Sequence, residues 1–97
     1  MRQSNTIEQE AVKMADLFGI LANPYRVQVL QVLGSGELNV GQILEQIAIT
    51  PTALSNHLTK LKSNGVIGCR REHRHLFYHI SDKRVIELLD QATVDAA

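Results

Sequence analysis

The densest chemistry in the chain lies in CRREHRHLFYH, Cys69 to His79, where one cysteine, three histidines and three arginines fall within eleven residues. Such residues suit three chemistries: a metal site, a redox-active thiol, or a grip on an anion. Zinc demands three or four fixed ligands. His75, Phe77 and His79 alternate along one face of an extended strand, so the two imidazoles lie about 13 Å apart at ~3.3 Å per residue and do not share an ion. His73 and His75 are closer, beside a turn, but lack a third ligand from the same chain. Cys69 has Arg70 and Arg71 as neighbours, a cationic setting of the kind that activates thiols. Its strand position sets it opposite Tyr78, on the side of Leu76 and Ile80, which makes core packing the expected role and redox sensing the rival. On the anion reading, Arg70, Arg71, His73 and Arg74 surround a projecting two-residue turn that tracks a phosphate backbone or enters a minor groove.

A second constellation precedes it in TPTALSNHLTKLKS, residues 50–63. Thr50 and Pro51 are a helix start; Leu54, Leu58 and Leu61 then point inward, leaving Thr52, Ser55, Asn56, Thr59, Lys60 and Ser63 outward. Small hydroxyl and amide side chains let a helix backbone approach base edges closely. Asn56 has the geometry to read adenine, Lys60 and Lys62 suit a guanine or a phosphate, and Thr50 lies where helix N–H groups favour a phosphate. His57 has two readings of equal weight, a phosphate contact or packing against the preceding helix.

These groups need a scaffold, and the chain supplies one helix after another. IEQEAVKMADLFGILA carries Ile7, Ala11, Met14, Phe18 and Leu21 at three- and four-residue steps, a stripe that requires a partner. ANPYRVQVLQVLGSG starts at an Asn23 cap with Pro24 behind it and turns Val27, Leu30 and Leu33 inward. Tyr25 and Arg26 read as structural. In NVGQILEQIAI, Asn39 and Gln42 have capping-box spacing ahead of Ile43, Leu44 and Ile47. The stretch AIT then leads into the helix over 51–63, which Asn64-Gly65 ends. VIGCRRE and HLFYHI follow as a β-hairpin turning at His73-Arg74, with Leu38-Asn39 as a further short pairing segment. SDKRVIELLDQATVDAA closes the chain as an amphipathic helix capped by Ser81 or Asp82. A tight helix pair whose second member exposes small polar groups has the layout of a helix-turn-helix, and the basic hairpin behind it that of a wing.

With 97 residues, 44% of them apolar and 21% charged, the chain suits a single small globular domain spanning 1–97. No apolar run reaches membrane-spanning length and the start lacks a secretory core, so the expectation is a cytoplasmic protein without membrane contact. One cysteine excludes an intramolecular disulfide. The formal net charge is zero, but residues 50–84 hold seven basic side chains against Glu72 and Asp82, whereas residues 1–49 are mildly acidic. A segregated basic patch is the footprint of a phosphate-backbone binder. No nucleophile, base and orienting group assemble, so no catalytic residue, cofactor or enzyme activity is assigned.

Three segments, LFGILANPYRVQVLQVL, ELNVGQILEQIAITPTALSNHLTKLKSNGVI and CRREHRHLFYHI, resemble the ArsR family of bacterial winged-helix repressors over nearly the whole chain. That resemblance implies a homodimer held by its first and last helices, about 6–21 and 82–95, binding an imperfect palindrome in double-stranded DNA at its own promoter and released by an inducer. The family's base-reading positions fall on Thr52, Ser55 and Asn56, with His57 beside them; Pro51 stands where relatives often have a glutamine. The family's sensory sites depart. Asn39 and Gly41 replace two cysteines of the third helix, Arg84 and Asp95 replace histidines of the last helix although Asp82 is kept, and Gln31 replaces a persulfide-sensing cysteine. No metal site is assigned and the inducer is unknown. The expectation is therefore a mainly α winged helix-turn-helix, about five helices plus a two-stranded wing, acting as a repressor. Its rivals are a repressor responding through the wing histidines or Cys69, and a winged-helix protein-interaction module.

Overall fold

Caps and prolines fix where the helices begin. In the computed structural model, which describes residues 2–93 and side chains between 6 and 92, the elements run α1 Arg2–Leu21, α2 Pro24–Leu33, α3 Val40–Gln46, α4 Pro51–Ser63, β1 Ile67–Glu72, β2 His75–Ile80 and α5 Lys83–Thr93. The Asn23 side chain accepts from the N–H groups of Tyr25 and Arg26 at the start of α2. At α3 the capping box closes in both directions, Gln42 N–H to Asn39 and Asn39 N–H to the Gln42 side chain, each 2.9 Å. Thr50 Oγ1 accepts from Ala53 N–H at 3.1 Å to open α4. Asp82 is the cap of α5, taking the Arg84 N–H at 2.9 Å. Ser81 instead donates its hydroxyl to the Gly65 carbonyl.

The core is a single cluster at the crossing of α2, α3 and α4. Leu30, Leu33, Ile43, Leu54, Leu58 and Leu61 meet there, closed below by Val66 and Ile67 of the hairpin and Val85 of α5. On α2 the inner stripe is Val29, Leu30 and Leu33, with Val27 only half-buried. The rotation turns Arg26 inward as well, and its Nε donates to the Ile20 carbonyl at 2.6 Å, holding the end of α1. Among the described residues of α1, Leu17 is buried in the core at 7% exposed, with Ile20 and Leu21 packed against it. Of the expected stripe, Leu21 thus packs against the core, whereas Ile7, Met14 and Phe18 stay uncovered in the single chain, Ile7 68% exposed and Phe18 52%. Ile86 and Leu88 of α5 are similarly open. Residues 94–95 of the expected 82–95 helix, Asp95 among them, lie outside the described residues.

The hairpin pairs antiparallel with Cys69 opposite Tyr78 and Arg70 opposite Phe77, the expected register. Leu38 adds a bridge to the other edge of β2, exchanging both hydrogen bonds with Tyr78 at 2.8 and 3.1 Å. Gly65, at φ +75°, supplies the left-handed turn that sends the chain from α4 into β1. Among the described residues no helix is long and apolar enough to cross a membrane.

Candidate nucleic-acid interface

Helix α4 is held by one face and presents the other. Leu54, Leu58 and Leu61 are buried, so the 3.6-residue repeat forces Thr52, Ser55, Asn56, Thr59, Lys60 and Lys62 outward, where all six are exposed. At its start Pro51 has no N–H to offer and Thr50 engages that of Ala53. At its end the Lys60 carbonyl receives the Asn64 side-chain amide at 2.8 Å. The helix is capped at both ends, and its outer face is open to solvent. A groove of about 470 Å³ runs along α4 between Ser55, Thr59 and Lys62 on one wall and Val40 and Tyr78 on the other.

His57 is the exception on this helix. Its ring is half-buried and stacks on Tyr25 of α2, 6.1 Å between centroids and 20° between planes. Burial first, then the charge of nearby Arg26, holds its pKa below the ordinary imidazole value. His57 thus packs against Tyr25 of α2 rather than against the preceding helix α3.

On the wing, Arg71 and Arg74 are exposed and form no ion pair among the described residues. His73 makes the turn in the left-handed region, φ 59°, an uncommon conformation for a residue with a side chain. Arg70 behaves differently from its neighbours. Its Nε lies 2.7 Å from Glu37 and its Nη1 3.0 Å from Glu72, and its guanidinium carbon sits 5.1 Å from the centre of the Phe77 ring. The hydrogen bonds it donates to Glu37 and then Glu72 push its pKa further up. The other Glu37 oxygen faces His79 Nδ1 at 3.7 Å, a buried nitrogen without a hydrogen-bond partner. The His79 ring in turn lies over Gly68, where an added Cβ would come within 3.0 Å of it.

Sequence reading missed this cluster and the Tyr25–His57 stack. The signal for the first was the Leu38 pairing: an antiparallel bridge of Leu38 to Tyr78 sets Glu37 across from His79. The remaining candidates stay apart. Cys69 is half-buried opposite Tyr78, His75 packs edge-on against Phe77, and no three His, Cys, Asp or Glu side chains gather in metal-binding geometry among the described residues.

Residues 23–68, from the α2 cap through the helix pair to the start of the hairpin, match the family described as bacterial regulatory protein, arsR family. The transcriptional activator HlyU of Vibrio cholerae is 35% identical over 86 residues, 86% of this chain and 80% of HlyU. The chain belongs to the ArsR family. Two solved ArsR-like structures carry the likeness into three dimensions. The transcriptional repressor BigR from Xylella fastidiosa superposes with a TM-score of 0.83 at 28% identity, covering 93% of this chain and 92% of BigR. The homodimeric winged helix-turn-helix DNA-binding domain of Mb0332 from Mycobacterium bovis gives 0.78 at 30% identity, over 98% and 84%. As an ArsR-family member the chain is a winged helix-turn-helix transcriptional regulator and not an enzyme: α3 and α4 are the helix pair and β1–β2 the wing.

Proposed function

We propose that this ArsR-family regulator acts in the cytoplasm as a homodimeric repressor that reads an imperfect palindrome in double-stranded DNA. Helix α4 enters the major groove, with Thr52, Ser55 and Asn56 at base edges. Thr50, Lys60 and Lys62 meet flanking phosphates, and His57 steadies the helix through Tyr25. The wing lies on the backbone or in the minor groove through Arg71, His73 and Arg74, with Arg70 as a reserve cation. The observation that carries this reading is the outer face of α4, where Thr52, Ser55, Asn56 and Thr59 are exposed with Lys60 and Lys62 and, beyond Pro51, no apolar side chain is exposed. Small donors and acceptors flanked by cations suit base edges and phosphates.

The dimer is supported by what a single chain leaves open. Exposed Ile7, Val12, Met14 and Phe18 of α1 and Ile86 and Leu88 of α5 form apolar surface that a lone domain of this size does not ordinarily tolerate. Between the two helices runs a groove of about 340 Å³ lined by Met14, Leu17, Phe18 and Leu88. Two copies related by a twofold axis would cover both stripes and set two α4 helices against two half-sites. The departures at Asn39, Gly41, Arg84 and Gln31 support an input other than the family's usual metal and persulfide sites. Repression rather than activation follows the BigR likeness; HlyU, an activator, uses the same fold, so the sign depends on where the operator lies relative to the promoter.

Fluorescence anisotropy on DNA from just upstream of the protein's own gene, against random duplex, in chelator and then in zinc, tests this directly. Preference for the upstream DNA that zinc leaves unchanged is the expected result. Equal binding to both duplexes would remove the sequence-reading role, and release by zinc would restore a histidine metal site. Within the same assay, Asn56→Ala should lower affinity for the preferred duplex by about 1–3 kcal/mol and leave random DNA nearly unaffected.

A further inference from the structure

The wing carries three arginines, but the structure does not present them equally. Arg71 and Arg74 are exposed and unpaired among the described residues, whereas Arg70 extends over Phe77 to Glu37 and also meets Glu72. The three charges of that cluster sum to one negative, so a DNA phosphate approaching Arg70 meets net repulsion where the sequence alone promises attraction. Two of the five guanidinium N–H groups are engaged on carboxylates, and the guanidinium carbon lies 5.1 Å from the centre of the Phe77 ring.

We propose that Glu37 and Glu72 are an acidic clamp that withholds Arg70 from the DNA backbone, so that these two carboxylates set the wing's share of DNA affinity. The clamp rests on the reading of the hairpin as a DNA-contacting wing. Its placement follows from the fold. The Leu38 bridge to Tyr78 brings Glu37 alongside β2 from a segment thirty-three residues away in sequence from Arg70, while Glu72 lies two residues beyond Arg70 on the same face of β1. Phe77, directly opposite Arg70 in the hairpin, supplies the surface across which the guanidinium reaches Glu37. Exposed ion pairs contribute little to stability because solvent screens them and side-chain entropy opposes them, so the larger consequence of this cluster lies in the field that the wing offers to DNA.

The test is the salt dependence of binding to random-sequence duplex, where only phosphate contacts count. Each contact adds about 0.9 to the slope of log affinity against log salt. Arg70→Ala should leave the wild-type slope unchanged. Glu37→Gln with Glu72→Gln, which keeps the side-chain shapes, should steepen it by about 0.9 per engaged wing, a gain that grows about 3-fold from 200 to 50 mM salt. Placed on the Arg70→Ala background, the same pair of changes should not steepen the slope, since no freed arginine adds a phosphate contact. Glu37→Ala with Glu72→Ala repeats the comparison without residual amide contacts, and thermal unfolding verifies that each variant is folded. Flattening by Arg70→Ala alone would overturn the clamp, since Arg70 would already be on a phosphate. So would an unchanged slope in the double glutamine variant, or equal steepening without Arg70, which would reduce the effect to overall charge. Arg71→Ala with Arg74→Ala separates the two readings. If that pair flattens the slope while the glutamates do not change it, the wing stands and the clamp falls; if no variant changes the slope, both fall.

Discussion

Phe18→Asp should split the dimer without unfolding its halves. Phe18 is 52% exposed in the single chain, so the fold does not depend on it. Of the roughly 200 Å² that a phenylalanine carries, about 100 Å² remains for a partner. At ~25 cal/mol per Å² that area is worth about 2.5 kcal/mol, and a twofold interface counts it twice, about 5 kcal/mol as an upper bound. Such a loss raises the dimer dissociation constant by up to about three to four decades, and the groove around Phe18 holds Glu87 as well as Arg84 beside Met14, Leu17 and Leu88. Sedimentation velocity across a range of concentrations reads the change directly. The variant should run as a folded monomer where the wild type is dimeric, with an unchanged circular dichroism spectrum and weakened binding to a two-half-site duplex. A dissociation constant within tenfold of wild type would show that the α1–α5 face is not the interface, and the case for two α4 helices on one palindrome would go with it.

Three further outcomes test how the reading helix is held. Leu61→Ala, at a fully buried position of α4, should cost about 2–5 kcal/mol in chemical denaturation, with DNA binding lost in proportion to unfolding; a cost below 1 kcal/mol would mean that the core is elsewhere. Gly65→Ala, at φ +75°, should destabilise by about 1–2 kcal/mol because a Cβ strains the left-handed turn between α4 and the wing; no effect would show that the turn relaxes freely. His57 has a depressed pKa in the folded chain, so its neutral ring favours folding, an advantage complete above the ordinary imidazole value of 6.5 and lost as pH falls from there through the folded value. The melting temperature should therefore drop between neutral and acid pH, and drop less in His57→Gln; identical pH profiles would remove the Tyr25 stack from the energetics.

Much of the scaffold was legible because its signals are local. Asn23 with Pro24, Asn39 with Gln42, and Thr50 with Pro51 each satisfy orphan N–H groups within one helical turn, so the sequence carries the whole interaction. The hairpin register followed from alternation about a two-residue turn. Where partners come from separate elements, sequence was silent or imprecise. Val29 rather than Val27 is buried in the core, on a helix whose Arg26 bonds to the end of α1. His57 was balanced between two roles until Tyr25 came beside it. Arg70 read as one of three equivalent wing cations because Glu37, its principal partner, comes from the connection between α2 and α3. Periodicity identifies which face a residue is on; it does not say which side chain on that face it will meet.

The distribution of charge bears on how such a small protein discriminates among DNA sequences. Phosphate contacts raise affinity for every sequence alike, and base contacts raise it for one. This chain is neutral overall, places small polar groups rather than cations over most of its reading face, and holds one of its three wing arginines on carboxylates. On the proposed reading, each of these features would lower non-specific affinity while leaving base readout untouched, which would widen the ratio between operator and random DNA. The affinity given up would then have to come from engaging two half-sites at once, a gain that exists only while two copies are joined. Control of DNA binding would in that case fall on the α1–α5 face and the wing base.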